Sequence, residues 1–232
     1  MLVSVIMPTF NCGKFIAQSI ESVIAQTVTD WEICIVDDCS TDNTLEVLQP
    51  YMEKYPNIRY TRLEKNGGPA VARTEALRMA AGKYVAFLDS DDLWAPDKLE
   101  KQVAYLDRYP ECQLVFTLVE NFFDGAADTM NQRQEQLLHS NVENCLPSCC
   151  IRRDVFEKYG VFREDYPYGE DTYWATKLWA AGINMKHCIQ ERLYIRRIHD
   201  SNISLTHRKV EQKDIMTLMA DAIREARKGN KR

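Results

Sequence analysis

The sequence predicts an α/β protein: a doubly wound, mostly parallel sheet with helices on both faces, followed by a C-terminal helical tail. Three observations predict it. Short apolar runs rich in Val and Ile alternate with segments of helical periodicity through the first half of the 232-residue chain. The connections between them are short, as right-handed strand–helix–strand crossovers require. The first, second and fourth runs end in polar or acidic residues, which is where an open parallel sheet holds its ligands.

Taken in order, "LVSVIMP" reads as a buried strand. In "KFIAQSIESVIAQ", Phe15, Ile16, Ile20, Val23 and Ile24 make one helical stripe. "WEICIVDD" is the second strand, and "DNTLEVLQPYMEKY" a helix kinked or broken near Pro50. "IRYTRL" is the third strand. "PAVARTEALRMAAG" is a helix with Pro69 at its start and Gly82 closing it, the usual asymmetry of helix ends. "KYVAFLDSDD" is the fourth strand, and Asp92 reads as a turn-former or as the N-cap of a helix begun near Pro96. After "QLVFTLV" the alternation fails, and the polar segment 120–144, with "DGAADTMNQRQEQ", reads as a loop. Helices around "RRDVFEKYG" and "EDTYWATKLWAAG" and a strand at "RLYIRRI" follow. Residues 1–205 then form one domain. Residues 206–232 form an amphipathic tail with Ile215, Leu218, Met219, Ala222 and Ile223 on one side.

A net charge of -5 argues against general nucleic-acid binding, because phosphate contacts need a basic face. No apolar run approaches the roughly 20 residues that span a bilayer. "MLVSVIMPTFN" has no basic leader and reads as a strand rather than a signal peptide. Of the eight cysteines only Cys145, Cys149 and Cys150 cluster, with no CxxC pair or supporting His spacing. They read as buried thiols of a reduced, cytosolic protein.

"FLDSDDLW" sets Asp89, Asp91 and Asp92 directly after an apolar run. Together with Asp37 and Asp38 after the second strand, this brings several acids to one rim, an arrangement that is costly without cations. Oxygen ligands of this kind suit Mg²⁺ or Mn²⁺, which complete their shells with substrate phosphates. A phosphorelay receiver would carry its acidic pair after the first strand, and here the pair follows the second. A nucleotidyltransferase would want a Gly-rich loop after the first strand, which "PTFNCGK" does not supply.

The run "VSVIMPTFN", "IVDDCSTDNT", "NGGPAVAR", "GKYVAFLDSDD", "CIRRDVFEKYGVF", "GEDTYWATKLWAAG" and "IRRIHDSNIS" resembles the family 2 glycosyltransferases of the GT-A fold, over about residues 2–205. The chain departs from the family pattern at Thr74 and Ala76, where Asn and Gly are frequent, and at Lys177, where Arg is common. The resemblance implies sugar transfer from a nucleoside diphosphate donor, with UDP favoured, to a hydroxyl acceptor with inversion, in bacterial polysaccharide or glycolipid assembly. It implies that Thr9 and Phe10 frame the base and that Asp38 accepts a hydrogen bond from a uracil-type ring N–H. Arg73 would approach the diphosphate or the base. Asp89 would hold the ribose, and Asp91 the Mn²⁺ or Mg²⁺, with His199 as a further metal contact. Asp171 of "GED" would be the base, and Glu170 would contact acceptor or donor sugar. Trp94 and Trp174 flank these motifs and are candidates to line the sugar site, whereas Trp179 reads as core. The implied partners are a nucleotide sugar and a saccharide or lipid-linked saccharide. The tail would touch the inner face of a membrane or pack on protein, and it carries no candidate ligand. The competing class is an inactive sugar-nucleotide-binding or assembly subunit.

Overall fold

A computed structural model describes residues 1–140, 145–165, 169–202, 205 and 212–229. Strands β1 (Val3–Thr9), β2 (Trp31–Asp37), β3 (Ile58–Arg62) and β4 (Tyr84–Phe87) pair in parallel. Between them run α1 (Ile16–Ile24), α2 (Thr44–Lys54) and α3 (Gly68–Met79). The short strand β5 (Leu93–Trp94) and the helix α4 (Lys98–Arg108) follow. The sheet then turns mixed. β6 (Leu114–Phe123) and β7 (Cys150–Arg152) pair antiparallel, β7 lies antiparallel on β4, and β8 (Cys188–Ile198) runs parallel to β6. The order is β3-β2-β1-β4-β7-β6-β8-β5. Further α-helices among the described residues are α5 (Gln132–Leu138), α6 (Asp154–Tyr159), α7 (Glu170–Ala180) and α8 (Gln212–Gly229).

β1 explains the double winding. Alternate side chains point to opposite faces, so Val3, Val5 and Met7 join Ile16, Ile20 and Val23 of α1 in one core. Ile6 faces the other way and joins Ala70, Ala72 and Ala76 of α3. Both faces are covered, which is why β1 and β2 are almost continuously apolar. Thr9 pairs with Asp37, and Ile6 with Phe87, so the strands' carboxyl ends share one rim.

Several elements differ from expectation. α2 continues through Pro50 without breaking. α3 ends at Met79, so Gly82 does not close it. Gly82 instead permits close approach, since a Cβ there would lie 2.6 Å from the Ser4 nitrogen. The polar segment is not one loop. β6 runs on to Phe123, and α5 is secured by a capping box in which Asn131 and Gln134 bond each other's backbone N–H groups. Residues 141–144 lie outside the described residues.

Trp179 is 62% exposed and not core. Neighbours on a helix point about 100° apart, and the buried places on α7 are taken by Tyr173, Trp174 and Leu178. On α8 the buried stripe is Leu218, Ala222 and Ala226, while Ile215 and Met219 are exposed. This stripe packs on Tyr173, and Glu225 accepts hydrogen bonds from the Tyr173 hydroxyl and the Lys177 ammonium. The tail's flanks, 206–211 and 230–232, lie outside the described residues. Among the described residues no helix is long and apolar enough to cross a membrane.

Lys98 of α4 is fully buried. Its ammonium sits 4.3 Å from the Trp94 ring centre and donates to Gln102 at 2.8 Å. Burial pushes Lys98 down to about 8, against an ordinary value of about 10.4 in the unfolded chain. Between those values the unfolded chain holds the proton and the folded chain does not, so stability rises with pH across that window. The unfolding free energy of the native protein should therefore gain about 3 kcal/mol on that of Lys98→Met between about pH 7 and pH 10.5. Denaturant melts of both proteins at each pH measure it, and a constant gap would mean that water reaches the ammonium.

Candidate active site

The rim is assembled from loops that bind one another. After β1, Asn11 adopts a left-handed backbone (φ 49°). Its side-chain oxygen accepts the Thr41 N–H at 2.7 Å, and its own N–H donates to Ser40 Oγ at 2.8 Å. The loops after β1 and β2 are thereby joined. Asp37 is wholly buried and accepts from the Ser40 N–H and the Tyr60 hydroxyl, so it serves the loop and faces no ligand.

Asp38 turns toward the start of α3. Its carboxylate accepts the Gly67 and Gly68 N–H groups at 2.6 and 2.8 Å, while its own N–H donates to Thr9 O at 2.9 Å. Gly68 has φ 82°, a conformation open to glycine at little cost. A carboxylate has about four acceptor sites, and these two bonds use about half of them on Asp38, which is 5% exposed. Thr9 is buried with an unpartnered hydroxyl, and Phe10 beside it is 51% exposed.

Arg73, in the second turn of α3, reaches two distant elements. One terminal nitrogen donates to Asp89 at 2.8 Å, and the other bonds Glu170 at the start of α7. The Arg73 and Glu170 side chains are 10% and 6% exposed. Burial alone would lower the guanidinium's pKa, but Asp89 and Glu170 outweigh it and hold the group above its ordinary value. Burial raises the Glu170 carboxyl, with Arg73 opposing and Asp171 adding to the rise. Both terminal nitrogens of Arg73 thus brace carboxylates, those of Asp89 and Glu170.

Asp91 and His199 meet. Asp91 Oδ2 lies 3.0 Å from His199 Nε2 and accepts from the Asn202 amide at 3.3 Å. His199 is held through Nδ1 by Ser201 at 2.8 Å, with its ring 4.4 Å from that of Phe15. Phe15, His199 and Ser201 line a cleft of about 200 Å³ with Lys14, Asp42 and Asp124. A somewhat larger cleft between α1 and α2, of about 270 Å³, is lined by residues such as Tyr51 and Tyr55 and lies apart from this cluster. Among the described residues no three His, Cys, Asp or Glu side chains converge as a preformed metal cage. One carboxylate oxygen and one imidazole nitrogen at this spacing do fit a cation that takes its remaining ligands from water and phosphate.

Asp92 closes a short turn, its N–H donating to Asp89 O at 3.0 Å, but it caps no helix, since the residue preceding α4 is Asp97. It is buried and accepts from the Tyr194 hydroxyl and the Arg197 N–H on β8. Burial, then Asp91 and Asp89, raise its carboxyl well above the ordinary range. Asp171 sits in the first turn of α7, partly exposed, accepting its neighbour Thr172's N–H at 2.6 Å. Trp94 and Trp174 are both core residues. Trp174 stacks on Phe156 at 4.9 Å and donates to Gly160 O, and Trp94 is covered by Lys98. Neither leaves a face for a sugar. Sequence reasoning missed the Gly67–Gly68 cradle around Asp38, and it missed Arg197 and Asn202. The one signal for Arg197 was period-2 alternation in "YIRRI", which turns one of two adjacent arginines inward.

A doubly wound sheet whose first, second and fourth strands end in such a rim is the GT-A fold of nucleotide-sugar transferases such as TarS. Residues 4–160 match the sequence model of Glycosyl transferase family 2, and the chain belongs to that family. It is 51% identical over 105 residues to the putative teichuronic acid biosynthesis glycosyltransferase TuaG of Bacillus subtilis (strain 168), covering 45% of this chain and 42% of TuaG. The structure of S. aureus TarS 1–349 in complex with UDP-GlcNAc superposes with a TM-score of 0.77 at 26% identity, covering 96% of this chain and 66% of that one. The mannosyltransferase PcManGT from Pyrobaculum calidifontis, in complex with GDP-Man and Mn²⁺, shares the fold at a TM-score of 0.67 and 20% identity, covering 98% and 73%. The chain thus spans less than half of TuaG and about two thirds of that TarS chain.

Proposed function

We propose that the protein is a metal-dependent, inverting glycosyltransferase that moves a sugar from a UDP-sugar to a hydroxyl of a growing bacterial polysaccharide. The observation that carries this reading is the meeting of Asp91 with His199 beside the Arg73–Asp89–Glu170 cluster. Membership of the family and the likeness to TarS, whose structure holds UDP-GlcNAc, support it.

Thr9 and Phe10 flank the base, and Asp38 accepts the uracil ring N–H with the capacity its glycine cradle leaves. Asp89, held by Arg73, accepts from the ribose hydroxyls. Asp91 and His199 would hold Mn²⁺ or Mg²⁺, which when bound supplies positive charge against the departing diphosphate. Glu170 is fixed by Arg73 at the sugar side. Asp171 takes the acceptor hydroxyl's proton on the face opposite the leaving group. The exposed apolar side chains of α8, Ile215, Met216 and Met219, suit contact with the surface of a membrane that carries a lipid-linked acceptor.

Calorimetric titration with UDP, with Mn²⁺ and with chelator, tests the reading. UDP should bind much more tightly with the metal, and Asp91→Ala should abolish most of that gain. Equal affinity with metal and with chelator would sink the metal role, and a preference for GDP over UDP would reverse the assignment of Asp38.

A further inference from the structure

Arg197 lies on β8, among the most buried charged groups of the molecule, and its fork is spread over three separate segments. Nε donates to the Asp91 carbonyl oxygen at 2.8 Å. One terminal nitrogen bonds Asp124 in the loop after β6 at 3.1 Å, and the other bonds Gln18 of α1 at 2.5 Å. The guanidinium carbon sits 4.8 Å from the ring centres of both Phe15 and Phe122. Its backbone works in the same direction. Its N–H donates to Asp92 at 2.7 Å, and its carbonyl accepts from the Asn202 amide, which also reaches Asp91 Oδ2.

We infer that Arg197 is the positioning residue that sets the Asp91 carboxylate for its cation. The inference rests on the reading of Asp91 and His199 as metal ligands and deepens it. Asp91 lies in a short turn, where the Asp92 N–H reaches back to Asp89 O at 3.0 Å. A turn that short does not by itself decide which way its side chains point. Arg197 decides it, holding the peptide on one side of Asp91 by the carbonyl and its neighbour Asp92 by the carboxylate. The carboxylate of Asp91 is then left to aim at His199. Lysine cannot replace this arrangement. An ammonium is a point charge, whereas the planar guanidinium bonds three acceptors in fixed directions while lying against aromatic rings.

The test is the ratio of UDP affinity with Mn²⁺ to that with chelator, measured by calorimetry on the native protein and on Arg197→Lys and Arg197→Met. Groups that orient a metal ligand typically contribute roughly 10–100-fold to metal affinity. The ratio should fall by that order in both variants, while UDP affinity in chelator stays as in the native protein. Retention of the ratio by Arg197→Lys would overturn the inference, because charge alone would then suffice. A matching loss of UDP affinity with and without metal would also overturn it, since Arg197 would then serve only general folding. If neither variant folds, Gln18→Ala removes a single branch of the fork: a smaller drop in the ratio supports the inference, and an unchanged ratio overturns it. A native protein showing no metal effect would overturn the metal reading itself, an outcome distinct from any seen only in the variants.

Discussion

Asp171→Asn should leave UDP affinity near that of the native protein and lower the transfer rate by roughly 10²–10⁴-fold, the range typical of lost general-base assistance. The change keeps the shape of the side chain and removes its capacity to take a proton. Of the two acids at the start of α7, Glu170 is buried and bonded to Arg73, whereas Asp171 is partly exposed and bonded only to Thr172 among the contacts described for its carboxylate. The second carboxylate is the one an acceptor hydroxyl can approach. A helix-terminus role alone would give another pattern: a loss of about 0.3–1 kcal/mol in stability with activity per folded molecule kept. Stability, UDP affinity and transfer, or donor hydrolysis with water replacing the acceptor, should be measured on one preparation. Near-normal turnover would exclude Asp171 and make Glu170 the next candidate.

Arg73→Met should destabilise the protein by about 3–5 kcal/mol, the range for breaking a buried ion pair from one side. The substitution keeps an apolar stem but leaves Glu170, 6% exposed, with no cation, and frees Asp89. Adding Glu170→Gln should restore part of the loss, because the uncompensated charge is then gone. Denaturant unfolding of the two single variants and the double variant gives the coupling directly. A loss under about 1 kcal/mol for Arg73→Met would mean that the cluster is solvated like a surface pair.

The parallel half of the fold was legible because strands covered on both faces are nearly continuous apolar runs, and β1, β2 and β4 are. Thr9, Asp38, Asp89 and Asp91 were legible as a rim because parallel strands end together. What remained hidden depends on contacts between residues far apart in sequence. Asp92 looks like its neighbours, and it is distinguished only by Tyr194 and Arg197, which arrive about a hundred residues later. Trp94 and Trp174 lie beside the right motifs, but only the packing of Lys98 and Phe156 closes off their rings. The polar stretch around α5 concealed a helix because its apolar face is short. Its "NQRQ" capping box was the available local signal, and Gln134 further ties that helix to Asp200.

The sheet is sewn out of sequence order where β7 lies against β4, with consequences for how the chain is made. The strands β1 to β4 emerge first from the ribosome, and β4 then presents an unpaired edge until its partner β7, at Cys150–Arg152, has been synthesised. At roughly 5–20 residues per second that interval is on the order of several seconds. Throughout it, a row of free amide and carbonyl groups borders a wholly apolar strand, Tyr84–Phe87, the kind of template onto which another nascent chain can pair. The same late, three-residue strand that joins the parallel strands β1 to β4 to β6, and through it to β8, which leads into His199, is therefore also what ends this exposure.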